Sequence, residues 1–296
     1  MTSRSPWPLV ISIFVTLVVA IGGFATRGDR VPPPAPVEHA QSVAGPRYVA
    51  IGDSFTAGGP IRALQPKTGS CLRSSFNYPS LVARELGYTL TDASCFGATT
   101  QDALISADGL PAQVAAVSHH TGVVTVSLGG NDLGVYSTIF LNCLHKPGSV
   151  SVQSCQAMLG PKIALKTAEV SVSLGAVLDA IHHRAPKARI VVLDYLSLMP
   201  RSGACSAIPF APGDVRWFAG VEDDLSKAIE KAARQRDLEV IDVHALSRGH
   251  DVCSGTKAWV NGARPKHHDG ILFHPNGAGE RAVATALADR LREKGS

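Results

Sequence analysis

Charge is scarce in this chain. Of its 296 residues only 18% are charged, and the formal net charge is a mild +4. No Lys/Arg cluster and no basic stripe interleaved with aromatics occurs, which argues against nucleic-acid binding. No C-x-x-C pair is present, which leaves a zinc or redox site as a weak alternative. Three histidine pairs stand out, His119-His120, His182-His183 and His267-His268. Adjacent residues do not share a face on a helix or strand, so the pairs are poor metal ligands. No internal repeat is visible.

What is present fits an ordinary globular protein with additions. Hydrophobic residues make up 45% of the chain. Pro8 to Ala25 form an uncharged run, with Arg4 before it and Arg27 and Arg30 after. The run is long for a signal-peptide core and about long enough to span a bilayer. Residues 1–30 are therefore read as an export signal, either cleaved or kept as a membrane anchor through residues 8–25. Residues 31–46 are rich in Pro and Ala and read as an extended linker. Residues 47–296 form the folded domain.

All six cysteines lie in that domain, at Cys71, Cys95, Cys143, Cys155, Cys205 and Cys253. An even number on an exported chain reads as disulfides. Six cysteines allow 15 pairings, and spacing alone does not choose among them. Sequential pairing, 71–95, 143–155 and 205–253, is the simplest.

The domain alternates strand-like and helix-like runs. Strands are read at Tyr48–Ile51, Tyr88–Ala93, Val123–Leu128, Arg189–Leu193 and Glu239–Val243. Several are nearly continuous Val/Ile/Leu, as strands covered on both faces are. Helices are read at Tyr78–Leu86, Leu110–Ser118, Pro161–His183, Asp214–Gln235 and Asn276–Glu293. The alternation implies right-handed crossovers and a parallel sheet of about five strands in an α/β fold. Ligands bind outside the carboxyl ends of such strands. Ser54 follows the first strand, Cys95-Phe96-Gly97 the second and Asn131 the third, while His274 precedes the last helix.

A serine hydroxyl is a poor nucleophile until a base takes its proton, and His274 is the candidate base. A tetrahedral oxyanion then needs donors, which the Ser54 and Gly97 amides and the Asn131 side chain can supply. The fragments Gly52-Asp53-Ser54-x-x-x-Gly58, Gly97, Gly129-Gly130-Asn131-Asp132 and His274-Pro275 together resemble the four blocks of the SGNH hydrolases, the GDSL-type esterases and lipases. They occur in order across the whole domain. The resemblance implies a three-layer flavodoxin-like fold and ester hydrolysis through an acyl-serine. It assigns Ser54 as nucleophile, Gly97 and Asn131 as oxyanion donors with Ser54, and His274 as base. Secreted actinobacterial members look most similar, and they pair three disulfides sequentially.

Two positions depart from the family pattern. Phe55 replaces a leucine, at a position that mostly packs. The family usually places an Asp three residues before the histidine, and this chain has Ile271 there. Two readings stay open: a backbone carbonyl, such as that of Ile271, holds the imidazole in a Ser–His dyad, or Asp269 reaches it through the Gly270 bend. A role for another acid, such as Asp242, is the remaining alternative. Asp53 and Asp132 are read as buttressing their own loops, and Asp242 and His244 as structural.

The expected activity is hydrolysis of lipid or other acyl esters by a monomer, with no metal or organic cofactor. Removal of O-acetyl groups from a cell-surface polysaccharide is the alternative within the same chemistry. A non-catalytic wall-binding module is the alternative outside it, and it predicts a missing nucleophile, base or donor.

Overall fold

The computed structural model describes residues 45–144 and 154–293. The export segment and nearly all of the linker lie outside the described residues. Five strands, β1 (Arg47–Gly52), β2 (Thr89–Asp92), β3 (Val123–Ser127), β4 (Arg189–Leu193) and β5 (Glu239–Ile241), form one sheet in the order β2-β1-β3-β4-β5. Every neighbouring pair is parallel. This is the flavodoxin-like order, whose direction reverses between β1 and β3 and leaves a crevice there.

Helices cover both faces, which explains the apolar strands. All of β3 is buried, as is β1 after Arg47. On one side α2 (Tyr78–Leu86) packs with α8 (Gly277–Arg292). On the other, α5 (Cys155–Arg184) packs with α6 (Pro212–Arg234). Short helices α1 (Ser54–Ala57), α3 (Thr100–Leu104), α4 (Val135–Cys143) and α7 (Val243–Leu246) sit in the connections.

Several readings of the sequence need correction. The strand read at Glu239–Val243 ends at Ile241, and Val243 opens α7. Leu110–Ser118 is not a helix but carries one 3-10 turn, Gln113–Ala116. Pro111 disfavours helical backbone at the residue before it, and the Gln113 side chain is spent on Gly52. Helix α5 starts at Cys155 rather than Pro161, because Ser154 caps it by accepting from the Ala157 amide. Helices α3 and α4 escape the periodicity reading. The first is only five residues long, though its capping box, Thr99 with Asp102, marks its start.

The six cysteines pair sequentially, Cys71–Cys95, Cys143–Cys155 and Cys205–Cys253. The first bridge ties the Gly69–Cys71 turn to the loop that carries Gly97. The second joins the end of α4 to the start of α5. Each closed loop restricts the unfolded chain, a stabilisation of roughly 2–4 kcal/mol per bridge. Reduction is accordingly expected to lower Tm in a calorimetric scan run with and without reductant. An unchanged Tm would contradict this.

Candidate active site

Strand β1 ends where its last residue is clamped by a side chain. The Gly52 amide donates to Gln113 Oε1 at 2.8 Å, and Gln113 Nε2 donates to the Gly52 carbonyl at 3.0 Å. Glycine is required here, since a Cβ would lie 2.0 Å from Thr56 Oγ1. Asp53 then caps α1, accepting from the Phe55 amide at 2.9 Å. Ser54 is thus the first residue of a single helical turn, held on both sides and 5% exposed.

His274 arrives from the far end of the chain. Its carbonyl accepts from the Asn261 amide at 2.9 Å, and Val260 bridges Pro275 beside it. Its Nε2 lies 2.8 Å from Ser54 Oγ, and its Nδ1 lies 2.9 Å from the Leu272 carbonyl oxygen. A carbonyl only accepts, so Nδ1 carries the proton and Nε2 faces the hydroxyl with its lone pair. The ring is half-buried, stacking on Phe96 at 5.5 Å and meeting Phe55 at 5.1 Å. This burial pushes the imidazole down to about 4, against a raising effect of the Leu272 carbonyl.

The group behind His274 is therefore a backbone carbonyl rather than the Asp269 carboxylate. The accepting carbonyl is that of Leu272, not Ile271. The chain is turned by Phe273, whose φ of 54° lies in the left-handed region. A bulky residue is rarely found there. Its ring is buried and stacks on Phe140 at 4.8 Å, which holds the turn. Asp269 faces elsewhere. Its Oδ1 accepts from the Gly277 amide at 2.7 Å, at the start of α8. Asp242 caps α7 through the Ala245 amide, and His244 Nε2 contacts Asp223 at 2.9 Å, so neither joins the site.

The loop after β3 brings Asn131 to the same edge. Asn131 Nδ2 donates to the Ala98 carbonyl at 3.1 Å and lies 3.5 Å from Asp53 Oδ2. Asp53 Oδ2 also accepts from the Tyr195 hydroxyl at 2.6 Å, and that hydroxyl accepts from the Gly130 amide at 3.0 Å. Burial raises Asp53 to about 7, although Tyr195 and the Phe55 amide favour its charged form. Asp132 accepts from the Thr100 amide and from the Thr100 and Ser173 hydroxyls, which anchors the loop to α3 and α5. Gly97 has φ 78°, and a Cβ there would meet nothing within 4 Å, so backbone conformation rather than crowding selects glycine. Among the described residues, neither the Ser54 nor the Gly97 amide has an acceptor.

Tyr195 and Gln113 are not singled out by the sequence reading. Tyr195 sits just past β4, so the strand-end rule has a signal for it. Gln113 lies in a loop and has none. A cavity of about 720 Å³ opens beside the site, lined by Phe96, Gly97, Ile105, Leu110 and Pro111 among others. It reaches the site at Phe96-Gly97-Ala98, and Ser54 and His274 do not line it.

Residues 50–282 match the GDSL-like lipase/acylhydrolase family. Lipase 2 of Streptomyces coelicolor is 31% identical over 300 residues, covering 97% of this chain and 99% of that protein. The crystal structure of an extracellular lipase from Streptomyces rimosus superposes with a TM-score of 0.70 at 27% identity, over 83% of this chain and 99% of that one. Phospholipase A1 from Streptomyces albidoflavus gives 0.68 at 25% identity, again over 83% and 99%. The chain belongs to the GDSL-like lipase/acylhydrolase family and is a carboxylic-ester hydrolase.

Proposed function

We propose that the chain is an exported serine esterase that cleaves lipid-type acyl esters through an acyl-Ser54 intermediate. The observation that carries this is the 2.8 Å contact between Ser54 Oγ and the unprotonated Nε2 of His274. As Oγ attacks the ester carbonyl carbon, Nε2 takes its proton. The carbonyl oxygen becomes an oxyanion, received by the Ser54 and Gly97 amides and by Asn131 Nδ2. Asn131 engages it by releasing its 3.5 Å contact with Asp53, the longer of its two. The imidazolium returns its proton to the departing alcohol, and a water repeats the sequence to free the acid. The Leu272 carbonyl fixes the tautomer, and the Phe96 face stacks on the cation. Asp53 and Tyr195 position Asn131. All these groups come from one chain, which suits a monomer.

Lipid-type esters are supported by the cavity beside Gly97. Its volume suits a small-molecule ligand, and Ile105 and Leu110 are 55% and 40% exposed in its wall. The names of the Streptomyces relatives, lipase and phospholipase A1, point the same way. Export is supported by the three disulfides, which persist in oxidising compartments. Residues 1–30, with the apolar run at 8–25, are the proposed signal. No helix among the described residues is long and apolar enough to cross a membrane. The test is hydrolysis by pure protein of p-nitrophenyl esters of increasing chain length, beside polysaccharide acetate. Preference for medium or long acyl chains is expected. Activity confined to polysaccharide acetate would overturn the lipid reading.

A dyad without a carboxylate has a distinct pH signature. His274 must be neutral to act as base, and burial has lowered its pKa to about 4. Activity is therefore retained as pH falls through 6.5 and lost near 4. A histidine paired with a carboxylate would be raised, and its acid limb would lie above 6.5. The profile of kcat/KM reads the free enzyme. Burial raises Asp53 to about 7, and Asp53→Asn is expected to remove any inflection there. Asp269→Asn is expected to leave both rate and acid limb unchanged. A loss near the 10,000-fold scale of a neutralised triad acid would restore Asp269 to the site.

A further inference from the structure

A second cavity, of about 710 Å³, lies among the loops that flank α8. Its wall carries Arg62, Arg264, Lys266 and Arg281, with His268 beside them. Asp269 is the sole carboxylate in that wall among the described residues, and one of its oxygens is already committed to the Gly277 amide. Among the described residues, none of the four cationic side chains forms an ion pair, whereas the other salt bridges of the domain join cations to nearby acids. Four cations around one cavity set up a positive potential that attracts an anion.

Two of the cations are also held in place. Arg62 lies 3.9 Å over the Phe76 ring, and Arg281 approaches the same ring at 5.7 Å. The Arg62 amide donates to the His268 carbonyl at 2.9 Å, fixing the two loops together. Guanidinium groups stacked on an aromatic keep their N–H edges free, and those edges match the oxygens of a phosphate. The wall is mostly polar, whereas the cavity beside Gly97 presents more apolar than polar surface, so the two suit different parts of a ligand or different ligands. The segment bearing His274 enters and leaves along this wall, at Asp269 and at Asn276–Ala278.

We propose that this cavity binds a phosphate group, with Arg62 and Arg281 as its paired guanidinium ligands and Arg264 and Lys266 closing over it. The phosphate comes either from an anionic lipid headgroup or from solution, and the ligand chemistry is the same. The site does not depend on the roles proposed for Ser54 and His274.

The test uses the full chain with its disulfides intact. Inorganic phosphate is titrated by calorimetry at low ionic strength. Sedimentation with vesicles of phosphatidylcholine, with and without phosphatidylglycerol, is measured in parallel. Two double variants, R62Q/R281Q and R264Q/K266Q, are compared with Arg216→Gln, a cation outside the cavity. Saturable phosphate binding weakened about tenfold in either double variant supports a site open to free phosphate. Retention only on phosphatidylglycerol vesicles, lost in the double variants and kept in Arg216→Gln, supports a headgroup source. Added salt weakens both. Hydrolysis of a soluble p-nitrophenyl ester stays unchanged in all variants, which certifies their folding. The proposal is overturned if neither probe binds, or if Arg216→Gln reduces binding as much as the double variants do.

Discussion

Ser54→Ala is expected to lower ester hydrolysis by on the order of 10,000-fold or more, with the protein still folded. The hydroxyl is the one group in the site able to form a covalent acyl intermediate. Its removal leaves the amide donors and the substrate cavity, so a small residual rate above water remains. Folding is little affected because Ser54 Oγ bonds only His274 among the described residues. The backbone of the turn is held independently, by Gln113 on Gly52 and by the Asp53 cap. Initial rates on p-nitrophenyl butyrate, read beside Tm, check both parts. Loss of activity together with loss of folding would place the serine in the architecture instead.

Asn131→Ala is expected to lower kcat by about 100- to 1,000-fold, the usual cost of one oxyanion donor. KM should change little, because the oxyanion exists only in the transition state. The same substitution frees the Ala98 carbonyl and removes the 3.5 Å contact with Asp53. A modest fall in Tm therefore accompanies it. The split between kcat and KM separates the two effects: an architectural role alone would move Tm and leave kcat near wild type. Tyr195→Phe gives the intermediate case, since it removes a hydroxyl that holds Asp53 and touches no substrate.

The sheet is legible in the sequence because both of its faces are covered. β1, β3 and β4 are largely apolar runs; β1 ends at Gly52, β3 at Ser127, and β4 at Leu193 just before Asp194. The strand-end rule then puts Ser54, Gly97 and Asn131 on one edge, and the structure brings Ser54 and His274 together there. Which group holds the imidazole, and in particular which carbonyl, is not legible. A backbone carbonyl has no residue type to read, and its choice depends on the positive φ of Phe273, which rests on a ring stack with distant Phe140. Asp269 is a reasonable candidate by spacing alone. The start of α8 claims its carboxylate first. Gln113 escapes the sequence for a related reason: it acts through a tertiary contact with Gly52 that no local pattern encodes, whereas Tyr195 is marked by its place at the end of β4 but not by its contacts with Gly130 and Asp53.

The central claim is that Ser54 carries the acyl group and His274 activates it. A fluorophosphonate added to the pure protein should place one adduct per chain, mapped by mass spectrometry to the peptide containing Ser54. Hydrolysis should fall in proportion to labelling. The adduct should be absent from Ser54→Ala and form slowly in His274→Ala. Complete inactivation with Ser54 unmodified, or an adduct on another residue that tracks the loss of activity, would contradict the account.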